Sequence, residues 1–365
     1  MSDALIIGGG VIGLMSAREL LAGGMKVRLL ERQQMGRESS WAGGGILSPL
    51  YPWRAPEAIT QLFLWSRVEF PALAGRLLED TGLDPEWLPS GLLIGDCEDA
   101  LQARNWCLAH GIGYEFPTPS QVADLEPGLK CNFTLPIHLP EIAQVRNPRL
   151  LAALRADILR RGGEILEHRV VSEWRVVHDR LREVITEQGE SFQADVYVLA
   201  TGAWSGELAG KLLPGPKLPV HPVKGQMLLY NGSPGLLRHI VLDDGRYLIP
   251  RKDGGILVGS TVEYTGFDKS TTPDARRELE QSAQALLPAL TSCRLQIQWG
   301  GLRPGSPEGV PYIGSHMELP NLYINSGHFR NGFVMAPASA RLLADLVLNR
   351  PPVVNPEAYA IARSH

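Results

Sequence analysis

Cysteine is scarce: the 365 residues hold four, Cys97, Cys107, Cys131 and Cys293, scattered and without a C-x-x-C. No disulfide framework or cysteine metal knuckle fits that spacing, and buried or free thiols are expected. The nine histidines form no H-x-x-x-H and pair with no cysteine, so no metal is expected. Charge of one sign is lacking too. Thirty-five basic residues stand against 39 acidic ones, with a pI near 6.2. Such a balance offers no electrostatic footprint for nucleic acid or an anionic membrane. No apolar run approaches the ~18 residues of a membrane span. The nearest, Leu5 to Leu21, has no basic leader and is broken by glycines, Arg18 and Glu19. A signal peptide is therefore not expected, and a cytoplasmic location is. Internal repeats, charge runs and low-complexity tails are absent from the sequence, as is any Ser/His/Asp or Cys/His set placed for covalent catalysis.

Glycine, by contrast, is plentiful, and it opens the chain. Leu5, Ile6 and Ile7 form a short apolar run that suits a strand buried on both faces. Gly8, Gly10 and Gly13 then give G-x-G-x-x-G around Val11 and Ile12, and Leu14, Ala17, Leu20 and Leu21 follow at helical spacing. Lys26 to Leu30 reads as a second strand ending at Glu31. Strand, turn, helix, strand and acid in this order predict a dinucleotide site: the glycines admit a tight turn, a pyrophosphate and close helix–strand contact, while the acid receives a ribose. The helix N-terminus offers N–H groups and partial positive charge to phosphates. FAD and a nicotinamide both remain open here, and Arg32 beside the acid even suggests a 2′-phosphate.

Length allows about two domains. The small residues Ser39, Ser40 and Ala42 to Gly45, ahead of Ile46-Leu47, lie where backbone meets a cofactor, although a flexible linker has the same composition. Helices are expected over 58–80, 98–110 and 117–125, from Asn147 to Gly162, over Pro273–Leu286 and over Gly332–Leu348. Residues 132–140 look extended, and 164–177 pair with 180–188. Asp195 to Ala200 is an apolar strand that ends in the small turn Thr201-Gly202, again near a ligand. From 218 to 266, alternating runs separated by Gly, Asp and Asn predict an antiparallel sheet. The fold class is therefore α/β: a Rossmann-like cofactor domain (1–84, 141–217 and 299–365) interleaved with an antiparallel-sheet α+β domain (85–140 and 218–298). Ligands favour such interfaces.

Together GGGVIGL with Glu31, ESSWAGGGIL, VLATGAW, PVHPVKGQ, YLIPR, GLRPGSPEGVPYIG and GHFRNGF resemble the FAD-dependent amine oxidases of the D-amino-acid oxidase and glycine oxidase family, from Ala4 to about Val347. The resemblance implies FAD, with Gly8, Gly10, Val11, Ile12, Gly13, Glu31 and Arg32 on its ADP half. Ser39, Ser40, Gly44, Gly45 and Ile46 would meet the diphosphate and flavin side, Val171 the adenine region, and Ala200, Thr201 and Gly202 the nearby backbone. His328, Phe329, Arg330, Asn331, Gly332, Phe333 and Val334 would wrap the flavin's pyrimidine end. It implies Arg303 as the substrate-carboxylate arginine, Tyr247 beside it, and Arg330 near both flavin and substrate. Gly301 stands about where the sarcosine-oxidase branch carries its flavin-linking cysteine, so FAD would be non-covalent. Alanines are usual where Gly43 and Gly44 stand, which puts the rigidity of that loop in question.

The implied activity is oxidation of glycine, sarcosine or a small D-amino acid by oxygen to the 2-oxo acid, ammonia and hydrogen peroxide, feeding thiamine (thiazole) biosynthesis. A sarcosine or D-amino-acid oxidase or dehydrogenase and a non-catalytic dinucleotide-binding regulator are the alternatives. The chemistry of the residues agrees with an oxidase. A small amino acid binds through its charges, and a guanidinium grips a carboxylate bidentately. An arginine between Gly300-Gly301 and Pro304 is poorly placed as a merely solvated charge, whereas a strand tyrosine often only packs. A flavin takes hydride while the protein orients the substrate. The amine must be neutral to lose hydride, and His221 and His239 are candidate bases, although lone histidines more often pack. A homo-oligomer stays open.

Overall fold

The computed structural model describes residues 3–130, 133–212 and 217–362. Asp3–Ile7 forms the centre of a six-stranded sheet in the order Tyr312–Ser315, Leu322–Ser326, Val196–Leu199, Asp3–Ile7, Lys26–Leu30 and Glu164–Leu166. All neighbours are parallel except Tyr312–Ser315, which runs against Leu322–Ser326. Burial of this strand alternates between two cores. Ala4 and Ile6 pack with Leu14, Leu20, Leu154 and Leu343 on one side, and Leu5 and Ile7 with Trp174, Leu181 and Tyr197 on the other. The first side is covered by the helices Val11–Ala22, Glu57–Thr81, Asn147–Arg160 and Gly332–Val347. The second carries a three-stranded sheet, Val171–Val177, Arg180–Thr186 and Ser191–Phe192. A run apolar at both parities is what a strand between two cores requires.

The second large sheet has seven strands: Arg294–Gly305, His221–Asn231, Gly255–Gly259, Arg246–Pro250, Ile240–Asp243, Leu92–Ile94 and Ile137–Leu139. Its pairings are antiparallel apart from Ile240–Asp243 beside Leu92–Ile94. The helix Pro273–Leu286 packs Leu279 and Ala283 against Leu228, Val258 and Leu248 of this sheet.

Several local expectations change. Ser39–Ala42 is a turn of helix rather than loop. Residues 164–177 are two strands in different sheets, separated by His168 at φ +58°. The extended stretch from 132 shrinks to Ile137–Leu139, and Cys131 and residue 132 lie outside the described residues. The strand Arg294–Gly305 runs through the expected boundary at 299, because its pairing with His221–Asn231 continues to Gly305. Cys97, Cys107 and Cys293 are free thiols. Among the described residues no helix is long and apolar enough to cross a membrane, and no group of three His, Cys, Asp or Glu side chains is arranged for a metal.

Candidate active site

The end of Asp3–Ile7 is shaped by its glycines. Gly8 has φ +111°, and a Cβ there would lie 2.4 Å from the Ala200 carbonyl oxygen. At Gly13 a Cβ would meet the Gly8 carbonyl oxygen at 1.9 Å, so Gly13 lets helix touch strand. Gly10 is different: its nearest obstacle is Ser40 Oγ at 3.1 Å. The helix Val11–Ala22 has no side-chain cap at Gly10 and no acid in its first turn. Its N-terminus is thereby left to favour an anion. The Val11 amide donates to Ser40 Oγ at 2.9 Å, which ties the turn to Ser39–Ala42. Glu31 accepts from the amides of Gly9 (2.8 Å) and Gln33 (3.0 Å). Arg32 lies 3.6 Å from the Trp204 ring centroid and 2.7 Å from Glu38, a carboxylate that Lys269 also meets at 3.0 Å.

A cavity of about 350 Å³ runs from this turn to the seven-stranded sheet. Every residue expected to touch the cofactor lines it except Gly13 and Val334. Gly13 packs on Gly8, and Val334 is turned into the core at 1 % exposure while its neighbour Phe333 faces the cavity. Asn147 fixes one wall by donating from Nδ2 to the carbonyls of Ser40 (2.9 Å) and Gly43 (3.0 Å). The Asn325 Oδ1, also at the cavity, is buried without a protein partner. Backbone cradles at Gly8 and Gly10 and an acceptor left over for a ligand or water suit a long dinucleotide.

Arg303, Tyr247 and Arg330 all line the same cavity. Arg303 sits opposite Val223, and its guanidinium lies over Gly225, where a Cβ would come within 2.2–2.4 Å. Nη1 donates to the carbonyls of Lys224 (3.3 Å) and Thr261 (3.2 Å), and Nη2 to Ser260 Oγ (2.7 Å). None of these acceptors is a carboxylate. Desolvation lowers the Arg303 pKa, an effect Tyr247 opposes and the like charge of Arg330 reinforces. A desolvated guanidinium with only neutral partners is a receptor for a carboxylate. Tyr247 is buried against Gly259, whose added Cβ would meet its ring at 2.6 Å, and its hydroxyl lies 3.8 Å from Met227 Sδ. Arg330 is exposed, at the rim beside the Phe329 ring. Phe329 itself holds φ +45°, a left-handed geometry costly for an aromatic residue.

Of the candidate bases, His221 is exposed and stacks near Tyr264, and His239 bonds Glu126. Neither lines the cavity: the His239 ring is held between Glu126 and His138. The lining histidine, His328, is fully buried, its Nε2 3.0 Å from Ser339 Oγ, and burial pulls its pKa down to about 3. It therefore stays neutral. At Gly301 a Cβ would lie 2.4 Å from the Ala42 Cβ, so no side chain fits there.

Sequence reading missed Ser260, Gly225, Met227, Trp204 and Lys224. PVHPVKGQ pointed to the right strand, but Ser260 is brought to Arg303 only by the fold. Lys224 is 1 % exposed and joins Glu263 (3.0 Å) and Asp268 (3.4 Å), pinning the segment whose Thr261 carbonyl receives Arg303.

The family model described as FAD dependent oxidoreductase matches residues 3–346. A glycine oxidase of Pseudomonas aeruginosa is 48% identical over 359 residues, covering 98% of each chain. A bifunctional protein ThiO/ThiG of Synechocystis is 34% identical over 362 residues, which span 96% of this chain and 52% of that protein. The crystal structure of glycine oxidase from Geobacillus kaustophilus superposes with a TM-score of 0.94 at 28% identity, covering 100% of both chains.

Proposed function

Because the chain belongs to the FAD-dependent oxidoreductase family, we propose that it oxidises glycine with oxygen and water to glyoxylate, ammonia and hydrogen peroxide, with sarcosine and small D-amino acids as further substrates. Relatives named glycine oxidase along nearly the whole chain support the reaction, and one named ThiO/ThiG supports a place in thiamine biosynthesis. We further propose a cytoplasmic location. FAD, when bound without a covalent link, supplies the hydride acceptor. Gly8, Gly10, Glu31, Ser40 and the 328–333 segment would hold it.

The chain's own contribution is position and field. Arg303 grips the carboxylate by its fork and so fixes the direction of the Cα–H. Ser260 and the two carbonyls hold that fork in plane. The start of Gly332–Val347 lies on the cavity, where its positive dipole end favours negative charge. Burial pulls the His328 pKa down and its Nε2 lies on Ser339 Oγ, which makes it a poor base for the amine.

The single observation that carries this reading is Arg303, a desolvated cation with only neutral acceptors at the cavity wall. Replacing it by lysine keeps the charge and loses the fork. Glycolate, a carboxylate mimic, should then bind about 2–5 kcal/mol more weakly, roughly thirty- to several-thousand-fold, with flavin content unchanged. Titration followed by flavin absorbance reads it. Wild-type affinity in Arg303→Lys would remove Arg303 as the clamp.

A further inference from the structure

The run Gly43-Gly44-Gly45 looks like the loosest part of the cavity wall, yet it is wedged. A Cβ at Gly44 would lie 2.6 Å from Ile249 Cδ1, and one at Gly45, with φ +75°, would lie 2.2 Å from the Val145 carbonyl oxygen. The Val145 amide donates to Gly45 O at 2.9 Å, and Ile46 forms a β-bridge with Gln144. Across both segments lies Arg251, just beyond the strand Arg246–Pro250 that carries Tyr247. Its Nη2 donates to Gly44 O at 2.8 Å, and its Nη1 to Gln144 Oε1 (2.6 Å) and Val145 O (2.9 Å). All three acceptors are neutral. The nearby carboxylates Asp253 and Glu86 are bonded by Arg146 instead. Burial accordingly pulls the Arg251 pKa down to about 10. Desolvating a cation without a carboxylate is unfavourable. A planar fork can join two carbonyl rows in fixed geometry, which a lysine ammonium cannot do.

We propose that Arg251 is a positioning residue that braces the Gly43–Ile46 wall against the strand bearing Tyr247 and thereby sets how tightly the cavity holds FAD. The proposal rests on the reading that FAD fills the cavity. A wall held in its bound shape removes ordering cost from binding.

The test uses holoenzyme of wild type, Arg251→Lys and Arg251→Met, diluted in series while released flavin is followed by fluorescence, with visible circular dichroism of the bound flavin recorded alongside. The Kd for FAD should rise at least about tenfold in both variants, equal to about 1.4 kcal/mol or more, and the visible dichroism should change. If the methionine variant does not fold, the lysine variant decides, because it keeps the charge. Arg251→Lys with wild-type Kd and dichroism would overturn the brace, as would a lowered Tm with both unchanged. Wild type that holds no FAD would overturn the cofactor reading itself.

Discussion

An arginine whose guanidinium rests on a glycine is vulnerable through that glycine. Gly225→Ala would place a methyl group 2.2 Å from Arg303 Nη2, and overpacking of this kind costs about 1–3 kcal/mol. The expected result is a glycolate affinity lowered about five- to 150-fold with FAD content retained, read by flavin absorbance; unchanged affinity would mean the guanidinium does not sit on Gly225. His328 gives a pH prediction. Its folded pKa, about 3, lies below the ordinary 6.5, so between those values the unfolded chain binds the extra proton. Stability from this group is full above pH ~6.5 and declines as pH falls toward 3, by at most about 1.4 kcal/mol per pH unit. His328→Gln should remove that part of the slope in Tm against pH, and an identical slope in both proteins would contradict it. Motif residues pointed to Arg303 and Tyr247, and both line the cavity. Ser260 was not, because forty-three positions separate it from Arg303 and only sheet pairing brings them together.

At the scale of elements, the opening turn is the most sequence-determined part of the molecule. Gly8 and Gly13 are demanded by contacts only a missing Cβ allows, and that demand is written in the sequence as a fixed spacing. Gly10→Val puts a branched side chain toward Ser40 Oγ, which the Val11 amide needs. The variant should purify with little or no flavin, whereas full flavin content would contradict a pyrophosphate at this turn. The small-residue stretch after Glu31 was less legible. Its composition suits linker and cofactor loop alike, and the short helix Ser39–Ala42 owes its place to Val11 and Asn147, which are remote in sequence. Residues 164–177 misled for a related reason. Both halves look like strand, but only tertiary contact sends Glu164–Leu166 to the parallel sheet and Val171–Val177 to the three-stranded one.

For the whole molecule, the cavity takes walls from both large sheets, so the residues that line it come from segments scattered between Ile7 and Phe333. Interleaving of the two sheets could be read from the alternation of apolar runs and Gly/Asp turns, but a boundary could not be placed inside the strand Arg294–Gly305, which serves both sides of the cavity. At Gly301 that strand abuts Ala42, so position 301 has no space for a side chain that could link to a flavin. Acid precipitation should therefore leave all flavin in the supernatant, and yellow colour in the pellet would contradict it. The most direct measurement is oxygen uptake by the purified yellow protein with glycine, with products counted. One glyoxylate, one ammonia and one hydrogen peroxide should appear for each oxygen consumed, with turnover abolished or greatly reduced in Arg303→Lys. A flavin-loaded protein that consumes no oxygen with glycine, sarcosine or small D-amino acids would contradict the account.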